Sequence, residues 1–344
     1  RWHYRSRREG LIAFSNNHLY ENHLVTFPSP DFDGGGTGVE LRHIADGVYD
    51  RSRSRTNKRE VQEVLRIVRS HAAQQPNKSL GVVAFSQAQA TAIDRGLWQL
   101  RSTEPLVESF LGGSRDEPFF VKNLESVQGD ERDVIVFSVG YGRDPAGRLS
   151  MNFGPLNARG GERRLNVAIT RAREKVILVS SIRGADIDVS RTQAEGTRLL
   201  KHYLDYAERG VAALDSVCST DLGGEYDSSF EEEVAIALRR LGYTIETQVG
   251  CSGYRVDLAV VHPSRPGQYA LGIECDGASY HSAATARERD RLREQVLVNL
   301  GWRLYRILST DWFRAQQREV EKLKVAIEEA ITSPGIVQPA VSGR

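Results

Sequence analysis

Two hydrophobic patterns divide this chain. From Leu80 to about Gly210, short unbroken apolar runs alternate with stretches of helical spacing. Leu80-Gly-Val-Val-Ala-Phe85, Asp133-Val-Ile-Val-Phe-Ser138 and Lys175-Val-Ile-Leu-Val-Ser180 read as buried strands, with Phe119 to Lys122 a shorter one. Between and around them, Val61–Val68, Gln87–Leu100, Arg164–Arg173 and Ser190–Gly210 carry helical periodicity. The last has Leu199, Leu200, Tyr203, Leu204 and Ala207 on one side and Gly210 as its stop. Strands alternating with helices predict an α/β unit with a parallel sheet.

After residue 212 the pattern changes. Residues 213–227 are small and polar, with Gly223 and Gly224, and are expected to be a linker. Ser228 then caps a helix whose apolar stripe is Phe230, Val234, Leu238 and Leu241. Strands are expected at Tyr243–Val249, Arg255–Val261, Tyr269–Ile273 and Trp302–Leu308. A charged helix is expected at about Ala286–Leu300 and another from Ser309. The order α-β-β-β-α-β-α predicts a second, smaller α/β domain over 228–331, with 332–344 as a flexible tail. The first domain is expected to occupy 1–212.

Ser264-Arg-Pro-Gly267 carries the turn residues of a hairpin between the second and third of those strands. Folding the hairpin about that turn sets Asp257 opposite Glu274, and period-2 alternation adds Asp276 to the face of Glu274. Opposed Cβ atoms lie about 4.5–5.5 Å apart. Acids at strand ends commonly serve only solubility. A cluster of three repels itself unless a cation sits among them, and a hard divalent ion with oxygen ligands is the natural candidate.

Composition narrows the classes. The 344 residues are 26% charged and 40% hydrophobic, as in ordinary globular proteins. A net charge of +1 provides no global field for nucleic acid, so any such contact must be local. Arg51-Ser-Arg-Ser-Arg55 with Lys58 and Arg59 is one local run, readable as a solvated loop or as a phosphate contact. Cys218, Cys251 and Cys275 form no CxxC pair, which fits a reducing compartment such as the cytoplasm and argues against a zinc site or disulfide framework. No apolar run reaches transmembrane length. The Gly-rich stretch 31–38 lacks the Lys-Ser/Thr of a phosphate-binding loop, and no GxxxxGK[ST] occurs anywhere. The chain begins at Arg1 in mid-motif and is expected to be the C-terminal piece of something longer.

Four segments resemble superfamily 1 helicases of the nonsense-mediated-decay type. Gly81-Val-Val-Ala-Phe-Ser-Gln-Ala-Gln89 resembles their motif IV, and Glu125-Ser-Val-Gln-Gly-Asp-Glu-Arg-Asp133 their motif V. Arg164-Leu-Asn-Val-Ala-Ile-Thr-Arg-Ala-Arg173 matches motif VI, and His3-Tyr-Arg-Ser6 resembles the Gln-Tyr-Arg-Met element. Glu125, Val127 and His3 depart from the usual Asp, Phe and Gln. The resemblance implies a second RecA-like domain. In it Tyr4 stacks on adenine, Arg5 and Arg171 reach the γ-phosphate, and Gly129 and Glu131 contact ATP. Ser126 and Gln128 couple the nucleotide to the nucleic-acid strand. It also implies a first RecA-like domain, in the same or a partner chain, to complete the ATP site.

The C-terminal pieces resemble the PD-(D/E)XK nuclease fold, in the branch of very-short-patch-repair endonucleases and nuclease domains fused to bacterial helicases. They are Ser228-x-Phe-Glu231, Gln248-Val-Gly250, Tyr254-Arg-Val-Asp257, Ile273-Glu-Cys-Asp-Gly277 with Tyr280-His281, Arg287-x-x-Asp290-Arg291 and Gly301-Trp-Arg-x-x-Arg306. The resemblance implies that Asp257 and Glu274 hold Mg²⁺ or Mn²⁺, that Glu231 adds an acid, and that Gln248 lines the site. Asp276 stands where the family has lysine, and can add a metal ligand or hold a water. His281 offers a proton donor or acceptor, or is a surface histidine. Arg287, Arg291 and Arg293, with Arg303 and Arg306, suit either phosphate positioning or pairing within a charged helix. The expected whole is a helicase–nuclease fusion cutting DNA in repair or in defence against foreign DNA. The alternative is a nuclease fold that only grips nucleic acid.

Overall fold

The computed structural model describes residues 6, 8–24, 26–30, 38–113, 115–214, 226–252, 254–265, 267–277 and 284–333. It divides into two compact units, one built on Gly10–Leu19 and Thr37–Asp215, the other on Ser216–Arg344.

The first unit runs α1 (Gly10–Leu19), β1 (Val39–His43), α2 (Lys58–Gln74), β2 (Leu80–Ala84), α3 (Gln87–Thr103), α4 (Pro105–Gly112), β3 (Phe120–Asn123), β4 (Arg132–Ser138), α5 (Gly161–Ile169), β5 (Ala172–Ser180) and α6 (Glu195–Arg209). Its five strands are all parallel, in the order β1-β5-β4-β2-β3. Alternation along the strands feeds two cores. Val83, Ile135, Phe137 and Leu178 pack toward α1, α5 and α6, whereas Val82, Ala84, Val134 and Val136 pack toward α2, α3 and α4. The expected parallel α/β unit is therefore present. The helix expected to continue to Arg173 instead stops at Ile169. Ala172 pairs with Arg132 across the sheet, so the end of that motif is already strand.

The second unit runs α7 (Ser229–Arg240), β6 (Ile245–Ser252), β7 (Tyr254–Val261), β8 (Tyr269–Asp276), α8 (Ala284–Asn299), β9 (Leu304–Leu308) and α9 (Ser309–Thr332). Its sheet has the order β6-β7-β8-β9, antiparallel except for the β8–β9 pair. One face of the sheet is covered by α7 and α9, which bury Phe230, Val234, Leu238, Trp312, Leu323 and Ile327 against Leu258, Val260 and Ile273.

A boundary at residue 212 omits part of this second unit. The described residues of Arg1–Glu9 and Tyr20–Gly36 group with it rather than with the parallel sheet. The cause is a small core in which Phe27 packs with Val256, Ala259, Leu297 and Trp302. Trp302 Nε1 donates to the Pro28 carbonyl at 2.8 Å, and the Tyr269 amide donates to the Pro30 carbonyl at 2.8 Å. Phe27 is 4% exposed. Phe27→Ala is expected to destabilise this unit by about 3–5 kcal/mol, the usual cost of emptying a buried phenylalanine site. Denaturant unfolding followed by tryptophan fluorescence measures it, and a loss below about 1 kcal/mol contradicts the packing role.

Candidate active site and nucleotide-contact residues

The acid cluster is built by the β6–β7–β8 ribbon. Leu258 pairs with Ile273, Ala259 with Gly272 and Val260 with Leu271, so Asp257 and Glu274 are the residues that directly follow the last pair. On the other side, Thr247 pairs with Leu258 and Val249 with Val256, which sets Gln248 opposite Asp257. A register shift lies near the hairpin turn, between Val260 and Val261, and leaves the pairing at the site intact. Gln248 adopts φ +51°, a left-handed conformation that a glutamine rarely holds. Its Nε2 donates to Glu231 Oε2 at 2.9 Å.

Glu231 comes from the first turn of α7 and is 5% exposed. It accepts from Ser228 Oγ at 2.9 Å and from the Asp227 amide at 3.0 Å, while its own amide donates to Ser228 Oγ at 3.2 Å. Ser228 thus caps the helix, and its hydroxyl together with the Asp227 amide pins the Glu231 carboxylate at the edge of the site.

Asp257 is the electrostatic centre. Its Oδ2 accepts the Cys275 amide at 2.7 Å. Burial, then the Glu274, Glu231 and Asp276 carboxylates, push its pKa up to about 7, against the pull of the Cys275 N–H. The folded chain therefore holds a proton that the unfolded chain releases between about pH 4 and 7. Metal-free stability falls as pH rises through that window. Asp257→Asn keeps the acceptor and removes the charge. It is expected to stabilise the metal-free protein by about 2 kcal/mol at pH 8 and by little at pH 4.5. Thermal melts in chelator at both pH values measure this, and an equal shift at the two would refute it.

Asp276 has a partner that the sequence pattern did not reveal. β9 runs parallel to β8 with Glu274 opposite Arg306, and Arg306 Nε lies 3.3 Å from Asp276 Oδ2. The position that carries lysine in the resembling family is here an aspartate joined to an arginine from the next strand. Cys275 faces the opposite way, and burial pushes its thiol well above the usual range. Arg303, grouped by sequence with the phosphate-positioning set, instead donates to the Ala330 carbonyl at 2.6 Å, near the end of α9. Arg291 is exposed and Arg293 half-buried on α8. Arg287 lies on the same helix, its side chain outside the description. His281 lies outside the described residues.

Among the described residues no three His, Cys, Asp or Glu side chains form a ready-made metal cage. Magnesium does not need one: it is usually held by one or two carboxylates, with water and substrate phosphate completing the shell. Asp257 and Glu274 fit that donor set. The upward pull on Asp257 from its neighbours is the repulsion that a cation in their midst relieves.

In the first unit, Gly129, Glu131 and Arg171 gather at the N-terminal edge of β4 and β5. Arg171 Nη1 lies 3.6 Å from Glu131 Oε1, and Arg171 Nε donates to the Val167 carbonyl at 2.7 Å. The Arg171 side chain is 12% exposed. Gly129 takes φ +89° in an exposed turn, which explains glycine there. Ser126 and Gln128 are exposed on either side of the fully buried Val127. Gln89 of the motif IV segment is buried, bonding the Asn57 backbone and Ser138 Oγ. Arg173 pairs with Asp133 and Glu117 and so holds strands together. Tyr4 and Arg5 lie outside the described residues.

Residues 37–183 match the AAA domain family AAA_12, and residues 230–327 match the family REase_MTES_1575. The chain joins a superfamily 1 helicase-type domain to a restriction-endonuclease-like domain. Over 327 residues it is 38% identical to a Mycoplasma genitalium protein named as an uncharacterized ATP-dependent helicase, and 31% identical to the Mycoplasma pneumoniae homolog. Each comparison covers 91% of this chain but 28% of the relative, so the chain spans little more than a quarter of their length. A solved C-terminal domain of a possible DNA helicase from a Lactobacillus species covers 52% of this chain and is itself covered to 86%, at 12% identity and a TM-score of 0.30. No helix among the described residues is long and apolar enough to cross a membrane.

Proposed function

We propose that this chain is a DNA-cutting unit coupled to half of an ATP-driven helicase motor, acting in the cytoplasm in DNA repair or in defence against foreign DNA. One observation carries the nuclease reading. Asp257 and Glu274 directly follow the last pair of a buried hairpin and act on each other electrostatically, with Glu231 and Gln248 converging from two further elements. Asp257 and Glu274 would hold Mg²⁺ or Mn²⁺. Bound there, the ion would supply Lewis acidity at the phosphate and activate a water, and cleavage would be hydrolytic. Gln248 and Glu231 fix the approach of the strand that carries Asp257. Arg306 brings a cation beside the site, where the family's lysine would be. In the motor half, Arg171 stabilises charge developing on a transferred phosphoryl group, with Glu131 orienting its guanidinium. The nucleotide's phosphate cradle comes from a separate RecA-like half.

The rival reading, a nuclease fold that grips DNA without cutting it, has the Asp276–Arg306 pair in its favour. The deciding experiment incubates the chain with supercoiled plasmid and with single-stranded DNA, with Mg²⁺ or Mn²⁺ and without ATP. Metal-dependent cutting is expected. Binding without cutting at any metal concentration supports the rival.

A further inference from the structure

Tyr305 and Ile307 of β9 pack into the core beneath α7 and α9, so Arg306 between them falls on the other face of the strand. There the parallel register sets it beside Glu274, and its Nε reaches on along β8 to Asp276 Oδ2 at 3.3 Å. The Asp276 side chain is 16% exposed and that of Arg306 is 43% exposed, so the pair is covered at the acid and open at the guanidinium. An arginine head offers several N–H donors in a planar fork, and one carboxylate oxygen occupies only part of it. Among the described residues the Arg306 head has no other partner. Arg303, in the same strand, is by contrast committed to the Ala330 carbonyl.

The charges around this pair are unbalanced. Asp257 feels the Glu274, Glu231 and Asp276 carboxylates as repulsion. A divalent ion offsets two of those charges, but a phosphate entering the site brings a further negative charge with it. Where the resembling family has a lysine to meet that phosphate, this chain has the acid Asp276, with a guanidinium joined to it from the neighbouring strand.

We propose that Arg306 is the phosphate-binding cation of this site and that Asp276 is its holder rather than a metal ligand. The inference rests on the nuclease reading and deepens it. The guanidinium donates to a non-bridging oxygen of the phosphate under attack. Negative charge accumulates there as the oxygen of water bonds to phosphorus and one P–O bond breaks. Arg306 moves no proton, because arginine stays protonated in proteins; the attacking water gives its proton to solvent, and the departing oxygen takes one up. A lysine at this place acts as a point charge, whereas the arginine fork is fixed in direction by the carboxylate that holds it.

Arg306→Gln and Arg306→Lys are compared with the unaltered chain in two measurements. One is Mn²⁺ affinity without nucleic acid, read from the electron paramagnetic resonance of free Mn²⁺. The other is single-turnover cleavage of a labelled oligonucleotide at saturating Mn²⁺. In Arg306→Gln the two are expected to move in opposite directions. Mn²⁺ affinity rises about three- to tenfold, because a neighbouring cation no longer repels the ion. Cleavage falls about 10²–10³-fold, the usual cost of losing one donor to developing charge. Arg306→Lys keeps the charge and loses the fork; it is expected to hold Mn²⁺ as the unaltered chain does and to cut at least about tenfold faster than Arg306→Gln. Should circular dichroism show Arg306→Gln unfolded, Arg306→Lys decides alone: unaltered Mn²⁺ affinity with cleavage reduced about tenfold supports the assignment, and unaltered cleavage overturns it. Unaltered cleavage in a folded Arg306→Gln, or Mn²⁺ affinity and cleavage lost together, overturns the role of Arg306 and leaves the nuclease reading standing. An unaltered chain that cuts no strand overturns both.

Discussion

Asp257→Ala and Glu274→Ala are each expected to lower metal-dependent DNA cleavage by about 10³-fold while leaving the fold intact. The estimate follows from the several kcal/mol of charge stabilisation that a metal ion provides, at a factor of ten in rate per 1.36 kcal/mol. With two carboxylates meeting at the end of the β7–β8 pairing, losing either halves the charge available to a magnesium ion and removes one of the two groups that would position it. Circular dichroism and gel-based cleavage over a Mg²⁺ titration check both halves of the statement. Cleavage persisting at the unaltered rate in either variant removes that residue from the site. Asp276 is the sharper probe. If it contributes through metal or water, Asp276→Lys impairs cutting, because the contributing carboxylate is lost. If Asp276 only occupies the motif position, activity survives or rises. Asp276→Ala cutting at the unaltered rate throughout the titration denies it a catalytic role.

Arg171→Ala is expected to reduce ATP turnover by about 10³–10⁵-fold when this chain is paired with a P-loop-bearing RecA-like half, while nucleotide binding persists. The range is that of an arginine acting on the transferring phosphoryl group. Arg171 is well placed for it. Its Nε is fixed by the Val167 carbonyl and one terminal nitrogen faces Glu131, so the guanidinium is oriented before substrate arrives. By itself the chain should hydrolyse ATP at no helicase-like rate, since no phosphate-cradling motif is present in its sequence. Phosphate-release assays alongside equilibrium binding of a fluorescent nucleotide separate the two effects. Unchanged turnover, or loss of binding in proportion to loss of turnover, denies Arg171 the finger role.

What could be read from sequence was local. The β7–β8 hairpin, which brings Asp257 and Glu274 to its end, was legible because a Pro-Gly turn joins two adjacent strands. The parallel sheet was legible because buried strands on both faces spell continuous apolar runs. Arg306 as the partner of Asp276 was not, because β9 reaches β8 only after the α8 crossover and its register is set by packing. Glu231 and Gln248 were named through resemblance, and their hydrogen bond depends on a left-handed glutamine that no propensity foretells. The strand β1 and the helix α4 went unread. Val39–His43 is a mixed sequence stabilised by pairing with β5, and Pro105–Gly112 is barely two turns. Helical spacing carried the motif VI helix too far, since the neighbouring strand β4 claims Ala172 and Arg173.

The Phe27–Pro30 segment sets an order of assembly. It is made about 275 residues before Trp302, the ring whose Nε1 it accepts from. At about 5–20 residues per second, Phe27 waits on the order of 15–55 s for its partner strand. Meanwhile the parallel sheet, whose strands all lie between the two, is complete and free to fold. The restriction-endonuclease-like unit is therefore finished last, and only by reaching back across the sequence of the parallel sheet to Phe27. A growing chain carries no complete acid site until the helicase-type domain already exists.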